Sequence, residues 1–267
     1  MAKVSITIKN ENGAVKSSVC GEERAVLVYE GTYCEGDTIT FTTDAVNQHY
    51  VVRVDDTMDE ALVYITKPEV VYGIPFDEKK VSYNPKSFAG EKHYLTMRTA
   101  EAYETAAYRN LAKNVMDQHG DPGCYPHLYA NVETRGEAVF AARNAIDGVV
   151  SNESHGEWPY ESWGINRQDD AEMTLEFGRP VDFDRIVLVT RADFPHDNWW
   201  ESVTFTFSDG TEETVSLEKS VEPHVIPMKR QGITWLSFGK LIKADDPSPF
   251  PALTQIEVYG VEMQMRG

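Results

Sequence analysis

Tryptophans in two loop-like stretches of the C-terminal part are the residues whose types and spacing most suggest ligand chemistry. One stretch covers residues 155–167 (His-Gly-Glu-Trp-Pro-Tyr-Glu-Ser-Trp-Gly-Ile-Asn-Arg) and the other covers residues 191–200 (Arg-Ala-Asp-Phe-Pro-His-Asp-Asn-Trp-Trp). Together they contain Trp158, Trp163, Trp199 and Trp200. Because loops normally lie on the surface, loop tryptophans interleaved with His, Arg, Asp and Asn predict a binding surface.

Sugar recognition is the chemistry that these residue types suit best. A pyranose has an apolar face of C–H groups that flat aromatic rings cover, and a rim of hydroxyls that meets a few precise polar groups. We therefore predict a ligand site formed by His155, Trp158, Trp163, Arg167, Arg191, Asp193, His196, Trp199 and Trp200. In the alternative interpretation the four aromatic rings close one end of a sandwich core.

Catalytic chemistry has weaker support in the sequence, and no catalytic residue is predicted. The chain lacks a Gly-x-Ser-x-Gly elbow, a phosphate-binding loop, a dinucleotide fingerprint and a His-Glu-x-x-His motif. A glycan-active enzyme that uses a carboxylate or a histidine of the same cleft stays open. For example, His155 or His196 beside Asp193 or Asp197 could act as a general base. A protein-interaction module is the third hypothesis.

Charge and hydropathy exclude several classes of partner. The chain has 267 residues, of which 25 are Lys or Arg and 43 are Asp or Glu, so the formal net charge is −18. Such a chain repels the phosphate backbone of nucleic acids and the surface of anionic membranes. It contains no apolar run of the ~18–20 residues that a membrane span needs. The oligomeric state is open.

The N-terminus and the cysteines bear on the compartment. Residues 1–8 alternate as a strand does and lack the apolar stretch of a signal peptide. We therefore expect a cytoplasmic protein, or a secreted one whose leader has been removed. Cys20, Cys34 and Cys124 have no metal-ligand spacing, so we predict free thiols, with a Cys20–Cys34 disulfide as the alternative.

Short alternating segments predict an all-β protein. The expected strands of the N-terminal part are 3–8, 25–29, 38–42, 49–54 and 61–66. The stretch 67–96, with its prolines and glycines, is predicted to be a linker or a wrap-around segment. A short helix followed by a strand is expected within 99–118, although one long helix is also compatible with that stretch.

The C-terminal half shows the clearer strand pattern. Its expected strands are 171–177, 185–190, 203–207 with a return strand after a two-residue turn, 233–238 and 253–259. Residues 137–146 are predicted to be helical, ending at Asp147 and Gly148. Many short strands with so little helix predict a β-sandwich or jelly roll.

The same half resembles a known family. Residues 142–148 (Ala-Arg-Asn-Ala-Ile-Asp-Gly), 171–181 (Ala-Glu-Met-Thr-Leu-Glu-Phe-Gly-Arg-Pro-Val), 183–188 (Phe-Asp-Arg-Ile-Val-Leu) and 253–260 (Leu-Thr-Gln-Ile-Glu-Val-Tyr-Gly) occur in the order seen in such domains. They resemble the galactose-binding-like jelly roll of the coagulation factor 5/8 type C, or discoidin, domains and the related carbohydrate-binding modules.

This resemblance implies a galactose-binding-like jelly-roll domain at 96–267, with a ligand site in loops at one end. It leaves 1–95 as a second β-rich sandwich region of unknown role. It also implies a structural calcium ion, for which Asp147 is the matching carboxylate and Gln255 stands where the family often has an acid. We therefore predict carbohydrate binding by a non-catalytic protein.

Overall fold

A computed structural model describes residues 1–121, 123–196 and 198–263. In the first hundred residues it contains β1 (Lys3–Lys9), β2 (Val15–Glu22), β3 (Arg24–Glu30), β4 (Thr38–Thr43), β5 (Gln48–Arg53), β6 (Ala61–Ile65), β7 (Glu69–Gly73) and β8 (Lys92–Thr99). The later strands are β9 (Arg109–Asn110), β10 (Cys124–Tyr125), β11 (His127–Ala130), β12 (Trp163–Gly164), β13 (Met173–Thr190), β14 (Trp200–Phe207), β15 (Glu212–Ser216), β16 (His224–Lys243) and β17 (Ala252–Glu262).

The N-terminal strands form a β-sandwich. One sheet has the order β2-β1-β4-β7 and the other has the order β10-β6-β5-β8-β3. Apolar and polar residues alternate along these strands, so one face of each sheet packs against the core. In β1, for example, the side chains of Val4, Ile6 and Ile8 are buried, whereas those between them are more exposed. The five strands predicted in this part are confirmed.

The stretch 67–96 is more ordered than a linker. It contains β7, the 3₁₀ helix Asp77–Ser82 and the first half of β8, and the two strands belong to the N-terminal sheets. β7 is an edge strand that pairs with β4 alone, and the side chains on one of its faces are exposed. Because of that exposure and the nearby prolines, the local hydrophobic pattern did not indicate a strand here.

The C-terminal strands form the predicted jelly roll. Their order is β12-β17-β13-β16-β14-β15, with β11 on β13 and β9 on β17. The first part of β13 lies between β11 and β16, and after a register shift its second part lies between β17 and β16. Gly178 lies within this shift with φ +71°, and a Cβ there would lie 2.4 Å from the Tyr125 ring. The long strands thus contribute to both layers around one apolar core.

Helical structure is short throughout the described residues. The α-helix Ala102–Ala106 precedes β9, so the predicted short helix followed by a strand is confirmed. The predicted helix at 137–146 is wrong, because the structure has two 3₁₀ turns there, Ala138–Phe140 and Ala142–Ile146. Ala141 between them is extended, with φ −69° and ψ 146°, which prevents a continuous helix.

Two apolar cores correspond to the two halves of the chain. The first contains Val115, Met116 and Cys124 as well as residues of β1–β8, and the second fills the jelly roll. β8 runs through the predicted boundary between residues 95 and 96, and the division at that point stays a prediction.

Cys20, Cys34 and Cys124 are free thiols, as predicted, and the alternative Cys20–Cys34 disulfide is not formed. No helix formed by the described residues is long and apolar enough to cross a lipid bilayer.

Candidate functional site

A cleft opens between the loops that follow β12 and β13 and the loop before β17. Its volume is about 170 Å³. Its principal side chains, which define what we call the arginine cleft, are Arg135, Phe140, His155, Arg167, Arg191, His196 and Phe250. Four of them (His155, Arg167, Arg191 and His196) belong to the site predicted from the sequence.

Asp193 lies beneath the polar side of the cleft and contacts three of its side chains. Its carboxylate is buried, with 7% of its side chain exposed. One oxygen, Oδ1, lies 2.6 Å from Nε of Arg191, and the other accepts a hydrogen bond from Nδ1 of His155. Nδ1 of His196 lies 3.9 Å from the same Oδ2. Asp193 therefore orients three cationic or imidazole side chains and is itself not a lining residue.

Arg191 ties two loops together. Its Nη2 donates hydrogen bonds to the backbone carbonyls of His196 and Phe250, each at 2.7 Å. Its backbone N–H donates to the carbonyl of Ala252 at 3.0 Å. Because charge-assisted hydrogen bonds are strong, Arg191 fixes the position of Phe250 relative to the loop that carries His196.

Aromatic surface in the cleft comes from phenylalanines. Phe250 is half-buried, and the guanidinium carbon of Arg167 lies 4.5 Å from the centre of its ring. The guanidinium carbon of Arg135 lies 5.7 Å from the Phe140 ring. An aromatic wall with convergent polar groups is the usual composition of a small-ligand site.

Trp163 and Trp200 belong to the core. Each is fully buried, and each ring packs edge-on against Phe238, at 6.2 and 5.6 Å between ring centroids. They begin strands instead of lying in loops: Trp163 pairs with Leu253 in β17, and Trp200 opens β14. Neither presents a face to a ligand, so the alternative interpretation, closure of the core, holds for these two rings.

The other two predicted tryptophans lie away from the arginine cleft. Trp158 lines a different cavity, between the two halves, and its backbone N–H donates to the carbonyl of Val81 at 2.9 Å. Trp199 is half-buried, and Nζ of Lys219 lies 5.3 Å from the centre of its ring. The sequence therefore predicted the polar side of the cleft and missed its aromatic wall.

Phe250 is the main residue that the sequence analysis missed. A signal was present, because Phe250 lies between Pro249 and Pro251 in the loop before the last strand. Prolines on both sides restrict the backbone and hold an aromatic side chain at a defined place in a loop.

His155, Asp193 and His196 also meet the distance criterion for a metal site. Their three candidate ligand atoms lie within 4.8 Å of one another. The Arg191 guanidinium beside Oδ1 of Asp193 weakens the attraction of this carboxylate for a cation. We therefore interpret Asp193 as a positioning group. Asp197, the other acid considered as a partner for these histidines, lies outside the described residues.

The predicted calcium residues, Asp147 and Gln255, do contact each other, through an amide nitrogen. Nε2 of Gln255 donates to Oδ1 of Asp147 at 3.2 Å and lies 2.9–3.2 Å from three backbone carbonyls, those of Asn144, Val149 and Thr254. Oε1 accepts a hydrogen bond from the N–H of Gly148 at 3.0 Å. That contact fixes which end of the amide faces the oxygens.

Calcium takes oxygen ligands at 2.3–2.6 Å, whereas here an NH₂ group already stands among the oxygens. As it stands, this donor set does not fit the ion. The calcium prediction stays a prediction, and the arrangement around Gln255 counts against it.

A second cavity lies between the two halves, also with a volume of about 170 Å³. Its acidic residues include Glu161, which is 1% exposed and neighbours Asp147. Burial raises the pKa of Glu161 to about 8, with the charge of Asp147 as a further cause. Burial likewise raises the pKa of Asp147 to about 6, against the lowering effect of Arg143. Two neighbouring carboxyl groups favour sharing one proton, because both cannot easily carry a negative charge.

Comparisons with solved structures return carbohydrate-binding modules and lectin domains, the class that the sequence resemblance predicted. Chitosan-binding module 1 of a chitosanase/glucanase from Paenibacillus sp. IK-5 is 18% identical, with a TM-score of 0.38, over 57% of this chain and 100% of that chain. A Streptococcus pneumoniae fucose-binding module is 12% identical, with a TM-score of 0.42, over 57% and 98%.

The family 32 module of NanJ from C. perfringens, solved with galactose, is 16% identical, with a TM-score of 0.38, over 49% and 91%. Likeness at this level carries no argument about the ligand of the present protein. No protein-family model matches the sequence, and no curated protein matches it.

Proposed function

We propose that this protein binds carbohydrate, without catalysing a reaction, in the arginine cleft. The observation that carries the proposal is the placement of the half-buried Phe250 ring beside His155, Arg191 and His196 at one end of the jelly roll. The aromatic ring suits the C–H face of a pyranose, and the polar groups suit its hydroxyls.

The polar side of the cleft is preorganised for this role. Asp193 holds His155 and Arg191 in place, so that ligand binding need not order them. With Nδ1 of His155 donating to Asp193, its Nε2 is the nitrogen left to accept a hydrogen bond from a hydroxyl. Binding from such a site costs less side-chain entropy than binding from a mobile surface.

The Phe250→Ala substitution tests the proposal. A glycan array with the whole chain first gives a binding sugar, and titration calorimetry then compares the two proteins. We expect binding to weaken by up to about tenfold, because an aromatic stacking partner is worth about 0.5–1.5 kcal/mol beyond the area it buries. The melting temperature should change little, since Phe250 is only half-buried.

Tyr103→Ala is the matched control, since Tyr103 is an exposed aromatic residue on the short helix Ala102–Ala106, outside the cleft, with 73% of its surface exposed. Its affinity should equal that of the unchanged chain. If Phe250→Ala bound the sugar as tightly as the unchanged chain, the arginine cleft would not be the binding site. If no sugar on a broad array bound, the proposal of carbohydrate binding would itself be wrong.

A further inference from the structure

The arginine cleft has the opposite charge to the molecule around it. The chain carries 43 acidic and 25 basic residues. The described residues that line the cleft nevertheless include three arginines, Arg135, Arg167 and Arg191, and no acidic residue. A positively charged cleft in a strongly negative protein indicates selection for a ligand of negative charge.

The three guanidiniums are not equivalent. Arg191 forms an ion pair with Asp193, so its charge is balanced within the protein. Arg135 pairs with Glu137, but both side chains are exposed, at 60% and 43%, and such surface pairs are weak. Arg167 is exposed, and no described carboxylate forms an ion pair with it. Its guanidinium carbon instead lies 4.5 Å from the centre of the Phe250 ring.

The backbone around these arginines is strained. Arg135, Asn166 and Arg167 have φ values of 53°, 49° and 60°, in the left-handed region that favours glycine. All three line the arginine cleft. Strain of this kind is unfavourable for a residue with a side chain, and it clusters at ligand-binding sites. Glycine at 135 or 167 would relieve it, so the arginine side chains have a use that outweighs the strain.

We infer that the arginine cleft takes a saccharide that carries an oxyanion, either a carboxylate or a sulfate, and that Arg167 binds this oxyanion beside the Phe250 ring. This inference rests on the proposed function and names the class of sugar. A planar guanidinium matches a carboxylate or sulfate with two parallel N–H···O bonds. The apolar face of the same sugar ring would then lie near Phe250.

Calorimetric titration of the whole chain with matched ligands tests the inference. The probes are galactose, galacturonic acid and galactose 6-sulfate, with glucose and glucuronic acid as a second neutral and acidic pair. Salt of about 0.15 M limits repulsion by the net charge of the protein. We expect at least one acidic sugar to bind about tenfold more tightly than its neutral counterpart, and the galactose derivatives tell whether carboxylate or sulfate is preferred.

Arg167→Gln should remove this preference, weakening binding of the acidic sugar about tenfold or more and leaving the neutral sugar within about twofold. Arg230→Gln is the matched control, because Arg230 also stacks on a phenylalanine, Phe207, at 4.6 Å and lies outside the cleft. Its affinity should be that of the unchanged chain.

Three results would overturn the inference in different ways. Tighter binding of the neutral sugars would end it and leave carbohydrate binding in place. Free acetate or sulfate binding as tightly as the acidic sugars would reduce the cleft to an anion site. Binding of no sugar at all, on the array or by calorimetry, would end both the inference and the proposed function.

Discussion

The burial of individual aromatic residues in this protein cannot be predicted from their neighbours in the sequence. Trp163 and Trp199 both follow polar, loop-like sequence, yet one is fully buried and the other only half-buried. The difference arises because Trp163 pairs with Leu253 near the start of β17, and its Nε1 donates to the carbonyl of Val132 at 2.9 Å. A loop tryptophan thus becomes a core residue through partners about 30 and 90 positions away.

Trp163→Ala should therefore act on stability. Removing a fully buried aromatic side chain costs about 3–5 kcal/mol, whereas Trp199→Ala, at a half-buried position, should cost about 1 kcal/mol. Urea denaturation of the two variants measures both values. If Trp163→Ala unfolded at nearly the same urea concentration as the unchanged chain while losing sugar binding, Trp163 would return to the ligand site.

At the scale of elements, the 3₁₀ turn Ala142–Ile146 is attached to the last strand by one side chain. The amide of Gln255 in β17 bridges the carbonyls of Asn144 and Val149 and the carboxylate of Asp147. Hydrogen bonds of a neutral amide thereby connect the turn and the strand, a role that the family resemblance gives to a cation. The neutral donor matters because it adds no charge beside the half-buried carboxyl of Asp147 and the buried carboxyl of Glu161.

Gln255→Glu should convert this connection into one that needs a cation. Without calcium the new carboxyl faces carbonyls and Asp147, and we expect a loss of about 1–3 kcal/mol. Millimolar calcium should raise the melting temperature of the variant by several degrees, because the oxygens then gain a ligand ion.

The unchanged chain and Gln48→Glu, an exposed position on β5, should melt at the same temperature with calcium and with EDTA. A melting temperature of the unchanged chain that falls in EDTA would instead establish the calcium ion that the family resemblance implied.

At the scale of the whole molecule, the two halves are in direct contact. Arg143 of the jelly roll stacks on Tyr83, with its guanidinium carbon 4.1 Å from the ring centre, and donates to Oγ of Ser82 at 2.7 Å. The cavity beside this contact is lined by the half-buried Asp147 and the buried Glu161. Stability of the assembled chain should therefore respond to the protonation of this pair.

The sign of that response follows from the raised pKa of Glu161. Its ordinary pKa is 4.5 and its pKa in the folded protein is about 8, so the folded state holds a proton that the unfolded chain releases. The contribution of Glu161 to the free energy of unfolding is complete below about pH 4.5 and is lost as the pH rises towards 8.

Glu161→Gln should flatten this dependence, because an amide cannot ionise. Denaturation of the variant and of the unchanged chain at about pH 5, 6.5 and 8 measures the difference. Glu91→Gln, at an exposed site, should keep the slope of the unchanged chain. An unchanged slope in Glu161→Gln would assign the pH dependence to other groups.

The sequence by itself determined what depends on local periodicity and composition. Alternation over 3–8 or 171–177 is a property of one strand, so the all-β class and most strands could be predicted without knowing their partners. The charge of −18 likewise needs no structure. The polar side of the cleft was predictable too, because His155, Arg167, Arg191 and His196 lie in loops rich in polar and aromatic residues.

Only the tertiary structure decided which aromatic rings face that cleft. In β14 the register with β16 shifts between Trp200 and Ser202, and again between Ser202 and Thr204. These shifts put Trp200 inward together with Phe205 and Phe207, although simple alternation would place it on the opposite face. Phe250 reaches the cleft because Arg191, 59 positions away in the chain, binds its carbonyl. Burial and loop position depend on such distant partners, which local sequence cannot supply.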